Sequence, residues 1–386
     1  MSPTTRQPRN VFFVGIDVDS LGGSQRVLHT LAQGLGARGH RVRIIGIRTA
    51  PEPFPYNPVP TYEHTTLYPH TPPPAWRANT LGERLNPKRN LAARRNRAER
   101  DIAKAKLSRL FAEVEDGYVI FGSPWAADWA LGLEWPHLEG IGQYHESFLQ
   151  AGSSANKGLI LRHYPRLAKS LFLSEGDAEA FEQLRLPNAG VMPNPIGFFP
   201  DTVADNRGHH IGAVGRLETI KRLDRLITAF AKATADQHTD WDLHLIGDGP
   251  EEELLRRHAA DLGVADRVVF RGRVEDMPSV YRELSILALS SDKEGRPMAL
   301  AEAGACGVPS VSFDLSAGVR DLVRDGETGL LVPPGDVDAL SDALVRLMAD
   351  PELRRVYGKA ARELVRPFSM DNVLDRWEAL FDEIDR

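Results

Sequence analysis

Hydrophobic positions along the chain follow two alternating periods. Nearly continuous apolar runs bounded by glycine or polar residues read as buried strands, and the stretches between them place apolar residues at helical spacing. The first unit is complete within residues 10–47. It has a run Val11-Phe12-Phe13-Val14-Gly15, a loop with Gly22-Gly23, a helix with Val27, Leu28, Leu31, Ala32 and Leu35 on one face, and a second run at residues 41–45. Further strand-like runs occur at residues 118–121, 140–145 and 170–174. The pattern restarts at residues 211–214, passes through a helix with Leu223, Leu226, Ile227, Phe230 and Ala231 at helical spacing, and continues with runs at residues 243–246, 268–270, 286–289 and 309–312. Apolar strands alternating with amphipathic helices predict parallel sheets covered on both faces. The expected fold class is α/β: two doubly wound, Rossmann-like halves facing across a cleft at the carboxyl ends of their strands, where such sheets bind ligands.

Two segments depart from the pattern. Residues 50–75 carry PEPFPYNPVP and HTPPPAW, too rich in proline for regular helix or a central strand, and predict a long excursion from the first half. Residues 84–109 are helix-prone and hold ten Lys or Arg against Glu99 and Asp101. The segment Met192-Pro193-Asn194-Pro195-Ile196-Gly197, with the polar run after it, is the expected linker between the halves.

Composition narrows the function classes. A formal net charge of -6 gives no global positive field, so nucleic acid is not an expected partner. The single cysteine, Cys306, excludes an internal disulfide and a thiolate zinc cage and fits a reducing compartment. Asp17 and Asp19 follow the first apolar run closely, leaving no signal-peptide core, and no window approaches 18 uninterrupted apolar residues. A cytoplasmic chain without a membrane span is the expectation.

Several motifs carry candidate chemistry. Gly34, Gly36 and Gly39 match the spacing GxGxxG, but they end a helix rather than open one, the wrong order for holding a pyrophosphate. Asp17-Val18-Asp19 is a candidate metal pair, and Asp336-Val337-Asp338 is better placed to cap a helix. The densest constellation is residues 290–309. There Glu294 lies in the loop after a strand, Pro297 suits a first helical turn, and the amides of Met298, Ala299 and Leu300 are expected to face the cleft. Such a helix start favours an anionic ligand, and Glu302 follows about one turn later. Two carboxylates flanking a phosphate site suit a nucleotide sugar, one serving the sugar and one the ribose. Gly215-Arg216-Leu217-Glu218-Thr219-Ile220-Lys221 follows the first strand of the same half, and its two cations can neutralise a diphosphate, Arg216 by two-point contact and Lys221 as a point charge.

These motifs resemble those of retaining glycosyltransferase family 4, which has the GT-B fold. The likeness covers nearly the whole chain and is strongest over residues 211–350. It implies that Arg216 and Lys221 hold the donor diphosphate, that Glu294 contacts the donor sugar and that Glu302 binds the ribose. Residues 268–274 are similar to the segment whose backbone reads the base, which makes Arg273 and Val274 candidates there. Gly22 and Gly23 resemble the glycine pair that lets the backbone approach the diphosphate and transferred sugar. His145 stands where the family often carries a histidine touching the sugar, although a core histidine is the other reading. Residues 312–321 resemble a stretch found in enzymes that build surface polysaccharides. Arg296 and Gln25 depart from the family pattern, the first where an aromatic or aliphatic residue is usual. The implied domains are residues 1–195 on the acceptor side, with the Pro-rich and basic excursion at about 50–109; residues 196–368 for the nucleotide sugar; and residues 369–386 as a helix crossing back onto the first domain.

The reading that follows is a metal-independent, retaining transferase without a cofactor. It moves a hexose or N-acetylhexosamine from a nucleotide-diphosphate donor, UDP by family frequency, to a glycan, polyol-phosphate, lipid-linked or small-molecule acceptor. Two alternatives stay open: a nucleotide-sugar epimerase of the same fold, and a sugar-nucleotide-binding subunit without turnover. Lys88, Arg89, Arg94, Arg95, Arg97, Arg100 and Lys104, between Arg84 and Arg109, are either a solvated helix face or a patch for an anionic acceptor or membrane surface on the inner side of the cell membrane.

Overall fold

The computed structural model describes residues 7–68, 87–130, 132–235 and 237–386, together with the backbone alone at Arg89 and Asn90. The HTPPPAW segment and Arg84 lie outside the described residues. Thirteen strands form two sheets among the described residues. The first contains β1 (Asn10–Gly15), β2 (Arg41–Gly46), β3 (Glu63–Thr66), β4 (Tyr118–Phe121), β5 (Glu139–Gln143), β6 (Lys169–Phe172) and β7 (Ala189–Val191), in the order β3-β2-β1-β4-β5-β6-β7. The second contains β8 (His210–Val214), β9 (Asp242–Ile246), β10 (Val268–Gly272), β11 (Ile286–Leu289), β12 (Ser310–Phe313) and β13 (Gly329–Val332), in the order β10-β9-β8-β11-β12-β13. The neighbouring strands pair in parallel, as at Val11 opposite Val42 and Leu287 opposite Ser310. In each sheet the strand order reverses beside the first strand, between β1 and β4 and between β8 and β11, and a crevice opens at such a point.

Successive residues of a strand point to opposite faces, so an apolar strand buried on both sides feeds two cores. Phe12 and Val14 of β1 join the cluster holding Phe121, Phe172 and Phe181, whereas Val11 and Phe13 join Leu31, Leu35, Trp377 and Phe381. The second sheet divides in the same way: Ile286 and Ala288 pack with Phe230 and Trp241, and Leu287 and Leu289 with Tyr281 and Leu300.

The helix Met370–Ile384 belongs in space to the first sheet. Its Val373, Leu374, Trp377, Leu380 and Phe381 lie in the core around Val11 and Ile44. Arg38 fixes it by reaching Asp375 at 2.6 Å and Glu378 at 3.0 Å. The glycines of the GxGxxG match serve packing: a Cβ on Gly34 would stand 2.8 Å from Leu374, and one on Gly36 would stand 2.3 Å from the Thr61 carbonyl oxygen. The two passages between the sheets run side by side, with the Ile196 amide donating to the Phe368 carbonyl at 2.8 Å.

Residues 50–62 do not leave the domain, which corrects the expected excursion over that part. They fold back over the loop after β1, where the Phe54 amide donates to the Asp19 carbonyl at 2.7 Å, and the chain then enters edge strand β3. The basic stretch is the helix Pro87–Ala112. Its end docks through Ala103, Leu107 and Phe111, while Leu91 and Ile102 are about 70% exposed (70% and 69%) and Arg94, Arg95, Arg97 and Arg100 face solvent.

Candidate active site

The loops after β8 and β11 meet at the switch point of the second sheet. Gly215 takes φ +151 and lies against Gly247, where a Cβ would stand 2.0 Å from the Gly215 carbonyl oxygen, so the two turns approach backbone to backbone. The Ser290 hydroxyl donates to the carbonyls of Lys221 and Arg222 (3.1 and 3.0 Å), and the Asp292 amide donates to Ile220 at 2.9 Å. These stitches place Lys221 Nζ 2.7 Å from Glu294 Oε1, which also accepts from the Ser291 hydroxyl at 2.6 Å. Glu294 is largely enclosed, with 11% of its side chain exposed, so Lys221 supplies the compensating charge.

The helix Met298–Ala305 begins just beyond this pair. Pro297 stands at its cap with extended ψ 117, one residue before the helix rather than inside its first turn. Among the described residues the amides of Met298 and Ala299 have no hydrogen-bond acceptor, as a helix start requires. Leu300 is a correction: its amide donates to the Pro297 carbonyl at 3.2 Å and its side chain is buried in the core, so it offers the cleft no free donor. Glu302 is buried and accepts from the Tyr281 hydroxyl at 2.8 Å. Burial pushes its carboxyl above the usual range, opposed by the Tyr281 hydrogen bond and by Arg26 of the first half.

Arg216 and Arg273 converge on Asp248. Arg273 Nε lies 2.8 Å from Asp248 Oδ1, and this contact, with Arg216 nearby, holds Asp248 below the usual carboxylate range. Arg216 also meets Glu218 at 3.1 Å; both arginines are more than half exposed, and Val274 beside Arg273 is half-buried. The second half therefore presents two groups: Lys221 with Glu294 next to the helix start, and Arg216 with Arg273 around Asp248.

From the first half comes His145, just beyond the end of β5. Its Nδ1 donates to Asn194 Oδ1 at 3.2 Å, which leaves Nε2 as a buried acceptor without a partner among the described residues. Burial pushes the imidazole down to about 4, so it is neutral near pH 7. Both side-chain polar atoms of Gln143, two residues earlier, are also buried without partners among the described residues. Orphaned polar atoms at a cleft are the expected mark of a site that takes a polar ligand. The halves touch here: a Cβ on Gly295 would stand 2.9 Å from Glu146 Cα. The segment after β12 supports the same loop, since the Ser316 hydroxyl donates to the Gly295 carbonyl at 2.8 Å.

The Gly22-Gly23 loop differs from expectation in one respect. The Gly22 amide donates to the Tyr56 hydroxyl at 3.0 Å, and that hydroxyl donates to the Ser20 carbonyl at 2.6 Å, so Gly22 has no free N–H for a phosphate. Gly23 faces open space. Gln25 is explained by the same loop: its amide donates to the Asp17 carbonyl (3.1 Å), a contact a glutamate could not make, and to Ser20 Oγ (3.2 Å). Tyr56 and Arg26 were not legible as site residues. Tyr56 reaches the loop from 34 residues away, and exposed Arg26 lies within electrostatic range of Tyr56, Glu302 and Tyr281.

Asp17 and Asp19 each hold partners within the first half. Asp17 Oδ1 accepts from the amides of Asp19 and Ser20, and Asp19 pairs with His64 at 2.9 Å. Asp336 caps its helix through the Ala339 amide at 2.9 Å. Arg296 turns its guanidinium onto the Phe368 ring, 3.7 Å from the centroid, with Asp321 3.9 Å away and no hydrogen-bond partner among the described residues. Burial pushes it down to about 10.

No helix among the described residues is long and apolar enough to cross a membrane. The chain is similar to an exopolysaccharide phosphotransferase of Streptomyces coelicolor, 34% identical over 290 residues, which are 73% of this chain and 30% of that protein. The chain therefore spans under a third of the length of that relative. A Haemophilus influenzae protein described as an uncharacterized glycosyltransferase is 27% identical over 96% of this chain and 98% of its own. Among solved structures, S. aureus TarM in complex with Fondaparinux, alpha-GlcNAc-glycerol and UDP superposes with a TM-score of 0.76 at 14% identity, covering 97% of this chain and 99% of that one. That likeness shows the fold, two parallel-sheet Rossmann-like domains in the GT-B arrangement. Residues 198–364, which contain both charged loops and the helix after Glu294, match the model of the family Glycosyl transferases group 1.

Proposed function

We propose that the chain is a glycosyltransferase that moves a hexose or N-acetylhexosamine from a UDP-linked donor to a glycan, polyol-phosphate, lipid-linked or small-molecule acceptor, with retention of configuration and without a metal. The carrying observation is the 2.7 Å pair of Lys221 and Glu294 beside the unclaimed amides of Met298 and Ala299. A cation and a helix start at one point suit the leaving diphosphate, and a carboxylate held next to them suits the sugar hydroxyls. Arg216 serves the same diphosphate, Glu302 the ribose, and Arg273 with Val274 the base. His145, neutral with Nε2 free, accepts a hydrogen bond from a sugar hydroxyl. The acceptor attacks from the face the diphosphate leaves, and a diphosphate oxygen takes its proton while the cations and amides stabilise the charge. The relatives' descriptions as exopolysaccharide enzyme and glycosyltransferase, and UDP in the TarM complex, support this reading.

The test is transfer from UDP-glucose and UDP-N-acetylglucosamine in EDTA, with the anomeric coupling of the product read by proton NMR. Retention in EDTA is expected. An inverted product, or activity abolished by EDTA and restored by manganese, contradicts the proposal.

A further inference from the structure

At the amino ends of β8 and β9, away from the charged loops, His210, Asp242 and His244 bring three ligand atoms within 4.8 Å of one another. We propose that these side chains form a binding site for a late first-row divalent ion, with zinc as its probe, which staples the two strands and takes no part in transfer. The site is written into the sheet. His210 stands opposite Asp242 in the parallel register, and Gly212 stands opposite His244. Residues 242 and 244 share a face because strand side chains alternate, and Gly212 brings no side chain to crowd His244. His210 Nδ1 lies 2.5 Å from Asp242 Oδ1, and His244 Nε2 lies 3.3 Å from that same oxygen. Two imidazoles and a carboxylate suit zinc, whereas magnesium and calcium favour sites made of oxygen. His210 and Asp242 are 40% and 31% exposed, so water can complete the coordination. Ligands on paired strands are also held more rigidly than ligands on loops.

One neighbour competes with the ion. Arg271 lies 3.2 Å from His244 Nδ1 and donates to it, which places the imidazole proton on Nε2, the atom a metal would need; Arg271 also meets Glu283 at 2.8 Å. Loading displaces that proton and moves Arg271 toward Glu283. Removing Arg271 therefore tightens the site.

The experiment titrates the EDTA-stripped full chain with zinc against a chelating dye and follows the thermal midpoint. One zinc per chain is expected beyond the uptake of His210→Ala or His244→Gln, with a midpoint raised by zinc and not by magnesium. Arg271→Gln is expected to bind zinc several-fold more tightly. His210→Ala alters a partly exposed residue at the first position of its strand, so its packing cost is small, and His244→Gln retains most of the buried volume. Equal zinc uptake by the parent and both variants, or no uptake by the parent, overturns the site. UDP affinity and transfer are unchanged by loading, so this test fails or succeeds independently of the proposed activity.

Discussion

Lys221→Met puts the candidate donor site to its sharpest test. Lys221 Nζ lies 2.7 Å from Glu294 Oε1, and Glu294 is 11% exposed at its side chain with the Ser291 hydroxyl as its other donor among the described residues. The substitution removes one charge-assisted contact to the diphosphate, worth about 1.5–3 kcal/mol. It also leaves the Glu294 charge uncompensated. At an effective dielectric of about 20, a carboxylate about 5 Å from a phosphate charge repels it by about 3 kcal/mol. Together these terms lower kcat/KM by roughly three to four orders of magnitude. Calorimetry gives UDP affinity, and coupled detection of released UDP gives turnover. Adding Glu294→Gln removes the repulsion, so the double variant regains UDP affinity relative to Lys221→Met but not turnover, because the sugar has lost its carboxylate. UDP affinity and kcat/KM within about threefold of the parent in Lys221→Met refute the assignment, as does a double variant whose UDP affinity is the sum of the two single losses.

Four other outcomes follow from the same geometry. The His145 imidazole is pushed from 6.5 down to about 4, so the unfolded chain binds a proton in that window that the fold refuses; stability is complete above about pH 6.5 and is lost toward pH 4, and His145→Gln flattens this limb in acid denaturation curves. Tyr56→Phe removes the hydroxyl linking the Gly22 amide and Ser20 carbonyl; the KM for donor is expected to rise by roughly threefold to tenfold with thermal stability little changed, and unaltered kinetics count against a positioning role. Arg296→Met replaces a buried guanidinium that lacks hydrogen-bond partners, and a thermal scan is expected to show a gain of about 1–3 kcal/mol, whereas a loss means that the stack on Phe368 outweighs desolvation. Changing Arg94, Arg95 and Arg97 together to Ser is expected to weaken salt-sensitive binding to polyol-phosphate polymer; loss on anionic vesicles alone assigns the patch to a lipid surface, and no loss on either leaves a solvated face.

The strands at residues 118–121 and 286–289 were legible residue for residue, because a strand buried on both faces is apolar throughout. β3 was not: its sequence Glu63-His64-Thr65-Thr66 has no apolar pattern, and as an edge strand it needs none. The loops after β8 and β11 were legible because their charged residues sit in short strand-to-helix connections. Tyr56 was not, since a proline-rich segment gives no local sign that it will fold onto a loop 34 residues earlier. The position of Arg296 was visible, but only packing decides that its side chain lies on Phe368.

Calorimetric titration of the EDTA-treated chain with UDP-sugars, repeated on Arg216→Ala, decides whether the second half holds a nucleotide sugar through its charged loops. One site per chain is expected without added metal, with affinity lower by roughly tenfold to a hundredfold in the variant. Absence of binding to any UDP-sugar, or equal binding by the parent and Arg216→Ala, contradicts it.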